Sequence, residues 1–178
     1  MYQNLVRSTL KSYLETGVIP MLSDLGVAEH ADMQTRHLVF VTLYLNGAVV
    51  ASSGRVHAIQ KHTLSECIDN AVLALKDSRA GAVTAANLAN VRIRVDIVQS
   101  SDRRLVANHS ELNPREEGMI LLSQNLAKLA VVLPKIVTPG TDSLEIFRIL
   151  CQKAGMPMAQ DPADYVLYAI RSTVYTDF

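Results

Sequence analysis

Ser52, Ser53, Gly54, Arg55 and His57 are the one stretch where two hydroxyl nucleophiles, a conformationally free glycine, a guanidinium and an imidazole crowd together. As catalytic machinery, a serine here needs a histidine oriented by a carboxylate, with amide donors for an oxyanion. As binding machinery, consecutive amides beside a glycine, together with Arg55, suit a small anionic ligand. The plainest reading of Ser-Ser-Gly-Arg after a strand is an ordinary loop. The other histidines, His30, His37, His62 and His109, are scattered and lack the close helical pairing of a zinc site, so no metal is expected. His57 and His62, with His109, are the ones that could converge. No glycine-rich phosphate motif is present, and no cofactor is expected.

Cys67 and Cys151 each fall in an amphipathic segment, which suits buried thiols in a reducing compartment better than a disulfide. No signal peptide or membrane span is read from the apolar pattern, so the expected address is the cytoplasm. The 178 residues carry 17 Lys+Arg against 17 Asp+Glu. That balance argues against nucleic acid and membrane surfaces as partners, and it leaves little repulsion against homo-oligomers.

The elements that must position these residues follow from periodicity. Leu5, Val6, Leu10, Tyr13 and Leu14 are helically spaced before Gly17, a helix stop reinforced by Pro20. Leu38 to Leu45, Asn46-Gly47 and Ala48 to Ala51 read as a β-hairpin with a tight turn. Thr63-Leu64-Ser65-Glu66 has the spacing of a capping box, with Thr63 as cap and Glu66 reaching back to its amide. A helix follows, burying Leu64, Cys67, Ile68, Ala71, Val72 and Leu75. Thr84 to Leu88 reads as a short helical turn. Val91 to Val98 alternates apolar and charged residues, the period of a strand with one wet face, and cross-strand pairing accounts for Arg92, Arg94 and Asp96. Ser100 to Glu117 reads as a long irregular excursion, with Arg103-Arg104 in a solvated turn. Strands are expected at Met119 to Leu122 and Leu126 to Leu133, a helix capped by Asp142 and closed by Ala154-Gly155, and a last strand from Tyr165 to Val174. The class is α+β, an antiparallel or mixed sheet flanked by helices, within a single domain spanning residues 1–178.

The order of "HLVFVTLYLNG", "NAVLALKDSR", "VRIRVDIV", "EEGMILLS" and "LCQKAGM" resembles the AMMECR domain family along nearly the whole chain. The resemblance implies a larger and a smaller lobe with a cleft between them, and association with Memo-type or radical SAM proteins. It implies no settled reaction. The family's Leu-Arg-Gly-Cys-Ile-Gly motif follows the hairpin turn, and counting from Asn46-Gly47 its positions are Val49, Val50, Ala51, Ser52, Ser53 and Gly54. The arginine is Val50 and the cysteine Ser52, so only the last glycine is kept. No CxxxCxxC cluster motif occurs, so this chain is not itself a radical SAM enzyme. The leading expectation is a non-catalytic or divergent protein that binds a small ligand or a partner near Ser52 to His57. The alternatives are a small hydrolase or transferase using Ser52 or Ser53, an accessory enzyme acting with such a partner, and a structural subunit.

Overall fold

A computed structural model describes residues 1–27, 30–158 and 162–178. The chain divides into two compact units, residues 1–97 with 173–178, and residues 98–172.

In the first unit, helix α1 (Tyr2–Thr16) ends as its sequence predicts. Gly17 takes φ 72° and its amide donates to the Tyr13 carbonyl. Strands β1 (Leu38–Leu45) and β2 (Ala48–Gly54) pair antiparallel across Asn46 and Gly47, whose φ angles of 53° and 79° are those of a tight hairpin turn. β2 runs further than the residue pattern suggested. Ser52, Ser53 and Gly54 continue the ladder, opposite Thr42, Val41 and Phe40, and so lie on a strand and not in a loop. β1 lies between β2 and β3 (Arg92–Val98), and β8 (Thr173–Thr176) adds to β3 antiparallel. Helix α2 (Thr63–Ala74) packs with α1 against this four-stranded sheet. Val39, Val41, Leu43, Ile93, Val95 and Ile97 alternate toward the same core as Leu10, Leu64, Cys67 and Ala71.

β3 corrects one expectation. Its charged face is wet only at Arg92: Arg94 is 7% exposed and Asp96 is fully buried. Their charges meet along the strand, two residues apart, through Nε to Oδ2 at 2.7 Å and Nη2 to Oδ1 at 2.8 Å. Residues i and i+2 share a face, so a buried face can carry both charges if they neutralise each other. The turn expected at Thr84 to Leu88 is there, the Asn87 amide donating to the Thr84 carbonyl at 3.3 Å, and it runs straight on into a 3-10 turn over Leu88–Asn90.

The second unit is built on a sheet in the order β4 (Arg103–Val106), β7 (Tyr165–Ile170), β5 (Gly118–Ser123) and β6 (Leu129–Val132), each neighbour antiparallel. Helix α3 (Ser143–Ala154) lies on it, burying Ile146, Phe147, Leu150 and Cys151 with Met119, Leu121 and Leu167. Asp142 caps α3 by accepting from the Glu145 amide at 2.7 Å, and Gly155 closes it at φ 62°. β4 lies inside the stretch expected to be irregular. Arg103 stacks over the Tyr168 ring at 3.9 Å and Arg104 bonds Glu117, so neither arginine sits in a solvated turn. The expected last strand is two strands, β7 in one sheet and β8 in the other, broken at Arg171-Ser172.

Candidate functional site

Position and local folding of the candidate residues come first from α2. His62, not Thr63, is its cap: His62 Nδ1 accepts from the Ser65 amide at 3.3 Å. Thr63, one residue inside, instead ties the helix start to the segment before β1, its Oγ1 donating to the Thr35 carbonyl and accepting from the His37 amide. Glu66 does not reach back to the cap. Its side chain is 1% exposed and turns toward the segment joining β2 to α2. Oε1 accepts from Arg55 Nη1 at 2.9 Å, and Oε2 from the amides of Ile59 at 3.0 Å and Gln60 at 2.7 Å. One turn on, Asp69 lies 2.6 Å from the same Arg55 nitrogen and accepts from Gln60 Nε2. Asn70, fully buried, donates to the Glu66 carbonyl at 2.9 Å and to Oε1 at 3.3 Å. A buried carboxylate is tolerable only when its lone pairs are met, and here Glu66 fastens the connection from beneath, with Asp69 and Arg36 holding Arg55, Gln60 and the Ala58 carbonyl beside it.

The candidate residues therefore part company. Ser53 Oγ donates to Asn70 Oδ1 at 3.1 Å, so the partner of this hydroxyl is an amide and not an imidazole. Ser52 is exposed on the edge strand; its backbone amide donates to Asp77 Oδ2 at 3.1 Å. Arg79 grips that carboxylate through Nε at 3.0 Å and Nη2 at 2.5 Å, and holds Asp77 well below the usual carboxylate range, at about 2. Arg55 is committed to two carboxylates. Burial works against its charge, but the bonds to Asp69 and Glu66 outweigh burial and raise its pKa above the ordinary arginine value. His57 is exposed and makes no hydrogen bond among the described residues. His62 is used as a cap, and His109 stacks on Phe147 in the second unit, so each has a local role.

Gly54, the one glycine kept from the family motif, has a steric reason. A Cβ there would stand 1.9 Å from Phe40 Cδ1, inside the buried face of its strand partner. Cys67 and Cys151 are both buried and free, and burial, with Asp32 and Glu66 nearby, pushes the Cys67 thiol far above the ordinary range. That is a core thiol and not a thiolate nucleophile. Among the described residues no group of three or more His, Cys, Asp and Glu side chains is placed to hold a metal ion, and no helix is long and apolar enough to cross a membrane.

Sequence reasoning found Ser53 and Arg55 but missed Glu66, Asp69, Asn70 and Asp77, which decide what those two can do. A signal was present. Glu66 and Asn70 are four apart and Glu66 and Asp69 three apart, so all three share one side of a helix facing the chain's nearest upstream arginine.

An α+β scaffold of two four-stranded sheets, each carrying helices, is the class these elements define. It is the scaffold of the crystal structure of the uncharacterised protein PH0010 from Pyrococcus horikoshii, which superposes with a TM-score of 0.78 at 20% identity over 98% of this chain and 89% of that one. The AMMECR1 family profile matches residues 3–175, and the chain belongs to the AMMECR1 family. No curated protein matches it.

Proposed function

We propose that this protein acts by binding another protein and not by catalysis, and that the connection from Arg55 to Lys61 is its contact surface. The observation that carries this reading is the buried Glu66 carboxylate, which fixes the connection from beneath through Arg55, Ile59 and Gln60. His57 and Ile59 are left outward, Ile59 being 63% exposed. A rigid loop presenting a large apolar side chain loses little entropy on docking, and burying one isoleucine contributes about 1.5–3 kcal/mol. A small anion is the weaker reading, because Arg55 is already matched by Glu66 and Asp69, and an incoming anion would meet their excess negative charge. The serine hydrolase reading lacks its base: Ser53 bonds Asn70, and no histidine bonds either serine among the described residues. The family resemblance suggests a Memo-type or radical SAM protein as the partner, in the cytoplasm.

The test is calorimetric titration of this protein against the Memo-type and radical SAM proteins of its own genome. Binding to one of them is expected, weakened about tenfold or more by Ile59→Glu, since a carboxylate in a desolvated contact costs more than the lost methyl groups. The unfolding midpoint of the variant should match the parent. Absence of binding to both proteins, or equal binding by Ile59→Glu, refutes the reading. Ester hydrolysis abolished by Ser52→Ala or Ser53→Ala would install the enzyme in its place.

A further inference from the structure

Among the described residues, Arg115 is the one arginine whose side chain makes no hydrogen bond, ion pair or ring contact. Arg7, Arg55, Arg79, Arg94, Arg104, Arg148 and Arg171 each meet a carboxylate, Arg36 and Arg92 donate to carbonyls, and Arg103 stacks on Tyr168. Arg115 instead lines a cavity of about 670 Å³ in the second unit, between the turn after Asn113 and the segment leading into α3. That volume is in the range of small-molecule sites, roughly 300–1,000 Å³.

The lining holds a second cation. Lys135 is exposed, its ammonium has no partner among the described residues, and its backbone sits at φ 57°, a left-handed conformation that L side chains seldom adopt. Such a conformation persists only where surrounding structure imposes it. What imposes it is visible on both sides. Pro134 precedes it, buried, and Thr138-Pro139-Gly140-Thr141 follows as a tight turn, with Gly140 at φ 94° and the Thr141 amide and hydroxyl both donating to the Thr138 carbonyl, at 3.1 and 2.7 Å. Proline ahead of a positive-φ glycine is the sequence of a type II turn, so this wall is stiff before any ligand arrives.

The lining has two cations and one carboxylate, Asp142, and that carboxylate is engaged in capping α3. The rest of the lining is largely hydrocarbon, with Pro114, Val137 and Pro139. We infer that this cavity binds a small organic anion, a carboxylate or phosphate on an apolar body, with Arg115 and Lys135 gripping the head group and the prolines and Val137 covering the body. A guanidinium fork and an ammonium placed over apolar walls match that ligand and no neutral one. The inference does not rest on the contact surface of Arg55 to Lys61 and stands or falls independently of it.

The experiment is a titration of the full chain with benzoate, phenyl phosphate and neutral benzyl alcohol, followed through the backbone amide resonances of residues 135–138 and 140–142. Saturable shifts confined to those amides and to Arg115 are expected with the two anions, at dissociation constants on the order of 1 mM or tighter. The tighter of the two names the head group. Arg115→Met with Lys135→Met should weaken both by about tenfold or more without moving the unfolding midpoint, whereas Arg148→Gln, at another exposed arginine, leaves them unchanged. Equal shifts with benzyl alcohol, shifts scattered over the surface, or undiminished binding in the double variant would overturn the inference.

Discussion

Glu66→Gln keeps the shape of the side chain and changes one acceptor oxygen into a donor. Whichever way the new amide turns, its NH2 faces donors. In the Oε1 position it meets Arg55 Nη1 and Asn70 Nδ2; in the Oε2 position it meets the amides of Ile59 and Gln60. A hydrogen bond to a buried charged group is worth about 1.5–3 kcal/mol, and stripping one partner from a fully buried ion pair costs about 3–5 kcal/mol. Arg55 retains Asp69 and is 24% exposed, so water and the second carboxylate screen part of the loss. A net destabilisation of about 2–3 kcal/mol follows, which for a chain of this size lowers the melting temperature by about 4–12 °C. Urea denaturation measures the first quantity. Amide exchange at Ile59 and Gln60 locates it, since both amides should lose protection while those of β5 and β7 keep theirs. Asp69→Asn, at a more exposed partner, should cost under about 1 kcal/mol. If Glu66→Gln unfolds within about 0.5 kcal/mol of the parent and the two amides exchange as before, the carboxylate does not hold the loop, and the reasoning for a rigid contact surface fails with it.

Asp96→Ala should destabilise by about 3–5 kcal/mol, because it leaves Arg94 charged inside the sheet, whereas Arg94→Met combined with Asp96→Val should cost much less than the sum of the single changes, as read by urea denaturation of all three variants. Gly54→Ala should cost about 1–3 kcal/mol by driving a methyl into the Phe40 ring, and Gly118→Ala at least as much, since its Cβ would stand 2.2 Å from the Val132 carbonyl oxygen, a backbone atom that cannot swing aside; melting temperatures decide. Asp77 has its folded pKa depressed to about 2, so its contribution is complete above the ordinary carboxylate value near 3.8 and is lost as pH falls through about 2. The stability gap between the parent and Asp77→Asn should therefore close between those two pH values; a gap unchanged at pH 2 would contradict the Arg79 assignment.

Elements set by neighbours in sequence were legible, and elements set by distant ones were not. Gly17, Asn46-Gly47, Asp142 and Gly155 act within a few residues of themselves, through left-handed backbone or a cap, and each ends or starts its element where the residues say. β4 was hidden because Arg103-Arg104-Leu105-Val106 has the composition of a solvated turn, and it is a strand through its ladder with the distant β7, with Tyr168 and Glu117 receiving its arginines. Tyr165 to Val174 reads as one apolar run because nothing local says that its two halves join different sheets. Arg171 does so at the break, its amide donating to the Asp102 carbonyl and its side chain reaching Glu116. At the candidate site the chemistry-bearing types were visible, but their occupancy was not. Whether an arginine is a ligand grip or a staple depends on carboxylates eleven and fourteen positions away, as with Arg55, or on their absence, as with Arg115.

The route of β8 bears on the order in which the molecule takes shape at the ribosome. The first unit's sheet takes its fourth strand from residues 173–176, and Asp177 then receives Arg7 and the Ile93 amide. Those partners are separated by the entire second unit, whose own strands and helix are contiguous in the chain. The later-made unit can thus close within one continuous stretch of chain while the earlier-made one waits, with β3 carrying a bare edge and a buried-to-be arginine and aspartate in water. The nascent first unit is accordingly the form most exposed to chaperones and to mispairing, and its completion marks the end of folding although its synthesis came first.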